Sequence, residues 1–393
     1  MKKIIVLNLG STSFKFKLFD IDHDSHLLLA AGGMENIGGD NGAYEVTVNG
    51  SVLKGKSNFR LHIDAFDLCI SIIKEYGALD NIARLDAVGY KAVHGGPISG
   101  AQLVDDGLLR TMEHYASFAP AHNPIYIKMM CHIKDNYPEL RQVAYFETSF
   151  HSTIPLHRAV YGVPYDWVEK YGIRRYGFHG SSHEFIARTM GELEPSSRRV
   201  ISLHLGGSSS LCAILDGKSI ANSMGATPQS GVFHNNRVGD FDVFCLPTLV
   251  KQYNDGFNEV MKCLAQKSGF LGISGIGNDL REILAARENG DFRADLAIKA
   301  FVDTIIGYIG MYTSYLGGLD ALAFTGGIGQ RSSIIRSLVC NALSFLDVKI
   351  DSIINTTVKN GKISTEQSSV SVWVLETNEE LMVARKSFNF LFE

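Results

Sequence analysis

The chain has no CxxC pair, no excess of positive charge and no apolar run near the 18 or so residues that span a bilayer, and each absence removes a class of protein. Its six cysteines, Cys69, Cys131, Cys212, Cys245, Cys263 and Cys340, lie far apart. That usage belongs to a reducing compartment, with no zinc site and no disulfide framework. The apolar run of MKKIIVLNLG stops at Asn8, too short for the core of a signal peptide. A net charge of −4 argues against a general nucleic-acid or membrane-surface binder. The expectation is a soluble cytoplasmic protein without nucleic-acid or membrane partners. Proline is scarce too, nine residues against 39 glycines. The glycines cluster in short loops after apolar runs, where backbone can approach a ligand closely or simply turn.

The 393 residues suffice for two or three domains. Lys3–Leu7 reads as a buried strand, followed by a Gly/Ser turn and a second strand over Phe14–Asp20. Tyr44–Val48, Ala87–Val93 and Gln142–Phe146 read as further strands. His62–Tyr76 and Ile125–Asn136 have helical spacing. The pattern restarts near Arg198, with strands over Val200–Leu205 and Ser210–Leu215 around another Gly/Ser turn. Without gaps, LNLGSTSFKFKLFD (Leu7–Asp20) matches LHLGGSSSLCAILD (Leu203–Asp216) in Leu, Leu-Gly, a central Ser and the last Asp. This is an internal repeat, two related halves that each open with a phosphate-sized turn. Further on come a strand over Leu319–Phe324, a glycine loop over Thr325–Gln330 and a helix over Ser332–Leu343. A strand over Val372–Leu375 precedes a last helix with a capping box, Thr377-x-x-Glu380. No linker is visible, so the domain boundary is expected at a packed hinge near residue 150.

A turn of small residues exposes backbone N–H groups that can cradle phosphate oxygens. The first turn adds the hydroxyls of Ser11, Thr12 and Ser13, with Lys15 beyond, and Asn8 can hold a metal directly or through water. A plain hairpin would read the same way; two matching turns and the loop Gly326–Gly329 favour phosphate. Tyr176–His183 (YGFHGSSH) is dense in groups suited to proton or phosphate contacts, although a structural histidine there is the alternative. The histidine spacings fit no metal motif. Phosphoryl transfer needs positive charge around the moving group and a bridging divalent metal. Lys91, Arg237 and His179 are candidates for the first task, and Glu147, Glu379 and Asn8 for holding metal or positioning. Composition does not single them out from other charged residues.

NLGSTSFK, AVHGG, APAHNP, FETSFHSTIP, YGFHGSSH, HLGGSSS, GISGIGNDLRE, FTGGIGQRS and TNEEL together resemble the acetate kinase family, and more broadly the acetate and sugar kinase/Hsp70/actin superfamily. The resemblance runs almost end to end. It implies an α/β fold of duplicated ribonuclease H-like (actin-like ATPase) domains with an active-site cleft between them. The N-terminal domain would cover 1–150, completed by a C-terminal helix at about 378–393, and the C-terminal domain 151–377, with the adenosine pocket. It implies a reversible, Mg²⁺-dependent transfer (Mn²⁺ as a substitute) of the ATP γ-phosphoryl group to acetate, giving acetyl phosphate and ADP, in a homodimer. Catalytic roles would fall to Glu147, His179 and Arg237. Lys91, Val93, Ala121, Phe178 and Pro228 would bind the acid or line its pocket, and His122 would line the phosphate path on the substrate side. Ser13, Lys15, His204, Gly206, Gly207, Ser208, Asp279, Leu280, Arg281, Gly327, Ile328, Gly329 and Arg331 would bind nucleotide. Asn8 and Glu379 would hold the metal.

Several of these positions depart from the family's pattern. The family has Arg at Lys91, Asp at Glu147, Asn at Gly207 and Leu at Ala121. His234-Asn235-Asn236 replaces a small Met-Gly-Thr run, and Gln330-Arg331 replaces Glu-Asn. Lysine keeps the charge but loses the two-pronged donor. Gly207 loses a side-chain amide, and Ala121 enlarges the space for the acid. The departures leave three alternatives to acetate kinase activity: a bulkier acid such as propionate or butyrate, a donor other than ATP such as GTP or pyrophosphate, or a weakened or non-catalytic nucleotide-binding paralogue. An assembly protein of the actin or Hsp70 kind is a more distant alternative, because those branches lack YGFHGSSH.

Overall fold

The first strand, β1 (Lys2–Leu9), carries Ile4 to Leu7 without a polar break, and all four are fully buried. A strand without alternation is covered on both faces. β2 (Ser13–Ile21) alternates Phe14, Phe16 and Leu18 inward against Lys15 and Lys17, until a bulge at Leu18/Phe19 brings Phe19 inside as well. A computed structural model describes residues 1–254 and 256–393. The chain divides into two units, Met1–Phe150 with Asn378–Glu393, and His151–Thr377.

Unit 1 adds β3 (His26–Glu35), β4 (Gly42–Val48), β5 (Ser51–Ser57), β6 (Ala87–Ala92), β7 (Ala101–Leu103) and β8 (Gln142–Phe146). Its sheet runs β5-β4-β3-β2-β1-β6-β8-β7, with β1, β6 and β8 parallel and the others joined antiparallel. The helix Glu379–Phe392 lies on β1 and β6 through Leu381, Met382, Val383 and Ala384. Gly89 makes that approach fit: a Cβ there would stand 2.9 Å from Ser387 Oγ and 3.2 Å from a Val383 methyl.

Unit 2 is built on β9 (Arg199–His204), β10 (Ser210–Leu215), β11 (Lys218–Asn222), β12 (Ala321–Thr325), β13 (Gly361–Lys362) and β14 (Ser371–Val374), in the order β11-β10-β9-β12-β14-β13. The strings β3-β2-β1-β6-β8 and β11-β10-β9-β12-β14 are the same: an antiparallel meander, then two parallel strands. The fold is therefore a mixed α/β duplication, as the internal repeat implies. Helix Phe292–Leu316 lies against β10 and β9, capped at one end by Asp291, whose carboxylate accepts from Ala294 N–H, and at the other by left-handed Gly317.

Three readings of the sequence need correction. The gap-free repeat is one residue out of register, because Asn8 pairs with Lys15 whereas His204 pairs with Ser210, one residue short of the position that matches Lys15. The glycine loop after β12 is a short helix, Gly326–Arg331, fixed by Ile328 and Gly329 N–H groups donating to Leu205 C=O. The last helix is capped by Asn378, which accepts from Leu381 N–H, and not by Thr377, whose buried hydroxyl makes no hydrogen bond. Glu380 does not reach back to complete a box; it is held by Asn8 and Lys17. Among the described residues no helix is long and apolar enough to cross a membrane.

Candidate active site

In unit 1 the expected residues gather beside the first hairpin. β1 ends at Asn8, β6 places Lys91 on the neighbouring strand, β8 leads into Glu147, and the last helix begins with Glu379 and Glu380. Lys91 forms an ion pair with Glu379 and lies 3.8 Å from Glu147 Oε2. Burial alone would lower its ammonium, but Glu147 and Glu379 outweigh that and hold it above its ordinary value. Glu380 accepts from Asn8 Nδ2 at 3.1 Å and pairs with Lys17, also at 3.1 Å. Burial would raise this carboxyl; Lys17, Lys91 and the Asn8 bond win and lower it. The turn itself is closed by Gly10 N–H donating to Ser13 C=O, and Lys15 points outward opposite Asn8. Val93 follows Lys91, while Ala121 is exposed next to His122, which caps the helix Asn123–Asn136.

Oxygen donors from one or two carboxylates and an amide, completed by substrate phosphates, are the usual protein share of a Mg²⁺ site. Asn8 and Glu379 suit that chemistry. A cation there has to share Glu379 with the Lys91 ammonium. No cluster of three or more acidic, histidine or cysteine side chains is arranged as a metal site among the described residues.

In unit 2 the groups beside the hairpin are mostly imidazoles and hydroxyls. His179 caps the helix Gly180–Leu193 from a left-handed conformation, φ 56°, which costs a non-glycine residue about 1 kcal/mol or more. Gly177 permits the chain to arrive there, since a Cβ would lie 2.8 Å from His151 and Asn222. His179 Nδ1 is 2.8 Å from Ser210 Oγ, which is 2.8 Å from His183 Nε2; His183 Nδ1 is 2.9 Å from Ser202 Oγ. His204 stacks on His179, with ring centres 4.2 Å apart, and its Nδ1 meets Ser182 Oγ. His151 bonds Ser219 Oγ and the Phe178 carbonyl. Burial pushes His151 down to about 4 and His183 well below its usual value, so both rings are neutral. The sequence reading picked out His179 and His204 but not this network; the signal was a run of serines and histidines at strand and helix positions that otherwise carry apolar side chains.

Arg237 donates to Ser208 Oγ at 3.3 Å and to the Pro228 carbonyl at 3.1 Å, bringing three expected residues together. Burial lowers this guanidinium somewhat from its ordinary value. A cavity of about 540 Å³ is lined by Gly206, Gly207, Asp279, Leu280, Arg281, Gly327, Ile328 and Arg331, all expected, together with Asn235, Asn278, Leu284 and Ser332–Ile334. Asp279 opens the helix Leu280–Glu288 by accepting from Arg281 N–H, which fixes this wall. Gly329 lies just behind the lining. Its carbonyl and that of Gln330 accept from buried Arg336, which also bonds Asn355 Oδ1 at 2.7 Å. Arg336 thus fastens the floor of the cavity. The sequence reading passed over it, although a lone arginine in the otherwise weakly polar SIIRSLVCNA was a usable signal.

A family model described as the Acetokinase family matches residues 3–385. The chain is 39% identical over 391 residues to the acetate kinase of Clostridium novyi, covering 98% of this chain and 97% of that one. It is 41% identical over 397 residues to the acetate kinase of Dictyoglomus thermophilum, covering 98% of each. Among solved structures it is similar to a propionate kinase from Francisella tularensis, with TM-score 0.91 and 34% identity over 98% of this chain and 99% of that one. It is similar also to the acetate kinase of Porphyromonas gingivalis, with TM-score 0.88 and 35% identity over the whole of both chains.

Proposed function

The chain belongs to the acetokinase family, phosphotransferases with a carboxyl acceptor, and we propose that it catalyses reversible transfer of the ATP γ-phosphoryl group to acetate, giving acetyl phosphate and ADP. The observation that carries this reading is the 540 Å³ cavity, where eight residues expected to bind nucleotide converge on one wall-and-floor arrangement. A carboxylate oxygen attacks the γ-phosphorus as the bond to the β–γ bridging oxygen breaks, and ADP leaves with that electron pair. The acid is already ionised near neutral pH, so the forward step needs no proton removed.

Catalysis then reduces to positioning and charge. In unit 2, Arg237 binds the carboxylate or the acyl phosphate, and His179 donates to the transferring group. His204, Gly206, Gly207, Ser208, Asp279, Leu280, Arg281, Gly327, Ile328, Gly329 and Arg331 hold the nucleotide, and Phe178 and Pro228 line the alkyl end of the acid. In unit 1, Lys91 contacts the anionic oxygens and Glu147 positions Lys91. Val93 and Ala121 line the pocket of the acid, His122 lines the phosphate path, and Ser13 and Lys15 meet phosphate. Mg²⁺, held by Asn8 and Glu379, would neutralise phosphate charge. The family resemblance supports a cytoplasmic homodimer.

A three- or four-carbon acid is the second reading, favoured by Ala121, which takes less room than the family's leucine. Hydroxylamine trapping of acyl phosphate, with acetate, propionate and butyrate each against ATP, GTP and pyrophosphate, tests both. Acetate with ATP should give the highest kcat/KM. A preference for butyrate or for pyrophosphate overturns the choice of acid or of donor, and no turnover with any pair leaves a non-catalytic nucleotide binder.

A further inference from the structure

Two of the departures from the family's pattern meet in unit 2. The chain has glycine at Gly207 where the resemblance places asparagine, and asparagine at Asn235 where it places glycine. A Cβ built on Gly207 would stand 3.7 Å from Asn235 Nδ2. The amide absent from the first loop is therefore present beside it, delivered from the second.

The backbone of Asn235 is pinned on both sides. Its N–H donates to Gly207 C=O at 3.3 Å, and its C=O accepts from Leu271 N–H at 2.9 Å. The neighbouring His234 carbonyl accepts from Phe270 N–H at 3.0 Å, an approach that Gly269 permits, since a Cβ there would lie 2.0 Å from His234 O. The side chain thus leaves a fixed point and lines the cavity shared by Gly206, Gly207, Asp279 and Ile328. Asn235 Oδ1 is buried there and accepts no hydrogen bond. An unsatisfied buried amide oxygen costs about 1–3 kcal/mol, so that atom adds nothing to the folded chain's own stability, and it is the amide nitrogen beside Gly207 that can serve an anionic ligand. Backbone geometry does not demand asparagine either, because Asn235 is not among the residues with positive φ.

We propose that Asn235 is a nucleotide-binding residue that replaces the missing side chain at 207, its amide nitrogen donating to an oxygen of the polyphosphate chain. The pair works as a transposition. One small residue and one amide fit side by side, and which loop supplies which is interchangeable. Asparagine at both positions would crowd the loops, and glycine at both would leave the phosphates short of one donor. The inference rests on the nucleotide assignment of the cavity.

Calorimetric titration of ADP and of adenosine into the wild-type protein, N235G, G207N and the double variant G207N/N235G tests it. A hydrogen bond to a charged oxygen predicts that N235G weakens ADP binding about tenfold or more while adenosine binding changes by no more than about twofold. G207N alone should bind ADP no more tightly than wild type. The double variant should return to within about threefold of wild type, the recovery that marks two coupled positions. If N235G does not fold, N235D keeps the shape and sets a carboxylate against phosphate, so ADP binding should fall while adenosine binding holds. Unchanged ADP binding in N235G, an equal loss for adenosine, or a double variant no tighter than N235G overturns the proposal. Failure of the nucleotide reading itself looks different: wild type would then bind neither ligand.

Discussion

Beside the first hairpin of unit 1 stand two ammonium groups, Lys17 and Lys91, and three carboxylates, Glu147, Glu379 and Glu380. Beside the first hairpin of unit 2 stand three histidine rings, His179, His183 and His204, linked by the hydroxyls of Ser182, Ser202 and Ser210. One strand topology has been furnished with two kinds of polar material. The charged cluster pairs its two ammonium groups with carboxylates and keeps one negative charge in excess, so it can exchange counter-ions with charged substrates. In the histidine network burial holds His183 towards its neutral form, and what the network offers is hydrogen bonds in fixed directions, held by partner hydroxyls. The two should fail under different stresses.

Acid is the sharpest of these stresses. His151 is held down to about 4, His234 to about 3 and His183 well below its ordinary value, in each case by burial. An unfolded histidine titrates near 6.5, so below that pH the unfolded chain binds more protons than the folded one. The stability contribution of these neutral rings is complete above pH 6.5 and declines as pH falls towards their folded values. The slope is about 1.4 kcal/mol per pH unit for each ring, hence about 4 kcal/mol per unit for the three. Glu380, lowered by its lysines from an ordinary 4.5, keeps its contribution above that pH and gives it up only below. Urea midpoints between pH 7.5 and 5 should therefore fall steeply, and hydrogen exchange should open Tyr176–Leu193 before Ala87–Val93. A flat midpoint, or unit 1 opening first, would break the contrast.

Removing a cation attacks the other cluster. In Lys91→Met the Glu147 and Glu379 carboxylates lose their shared counter-charge in a mostly dry setting. An uncompensated buried charge costs about 3–5 kcal/mol, and partial exposure puts the expectation at the low end, about 3 kcal/mol. Denaturant unfolding at pH 7.5 measures it. A loss under about 1 kcal/mol would mean that water or a rearranged neighbour already screens these carboxylates, and the cluster would then be no more than surface charge.

The charged cluster was also the more legible of the two. Asn8, Lys91, Glu147 and Glu379 lie at or beside the ends of apolar strands or open a helix, and it was the family resemblance that singled them out from other charged residues. The repeat of the two hairpins gave the duplicated topology, because alternation and turn chemistry are local. Its register was not legible, since a one-residue difference in loop length leaves the apolar pattern of strands buried on both faces unchanged. The helix Gly326–Arg331 was hidden for a related reason: three glycines argue for a loop, and what winds them is a distant carbonyl, Leu205. The meeting of Gly207 with Asn235, and of Arg336 with Gly329 and Gln330, depends on tertiary contacts that no single segment announces.

The smallest effect is the most specific. Ser210 Oγ lies between two rings, and its single proton can serve only one of them. When Ser210 donates to His179 Nδ1, it accepts from His183 Nε2–H, Ser202 donates to His183 Nδ1, and His179 presents its own proton at Nε2. If His179 instead carries its proton on Nδ1, Ser210 accepts it, and the Ser210 hydroxyl donates to His183 Nε2 in the His183 tautomer that is protonated at Nδ1 and donates to Ser202. Ser210 can therefore hold His179 Nδ1 as donor or as acceptor, and in either case it fixes the direction of the ring. Ser210→Ala should lower kcat about tenfold, the 1.4 kcal/mol of one ordinary hydrogen bond, with the nucleotide KM within about twofold of wild type. A merely structural serine would instead lower stability and move KM and kcat together. An unchanged kcat would mean that other contacts of the ring hold His179 in place, and the histidine network of unit 2 would then be a scaffold and not a participant.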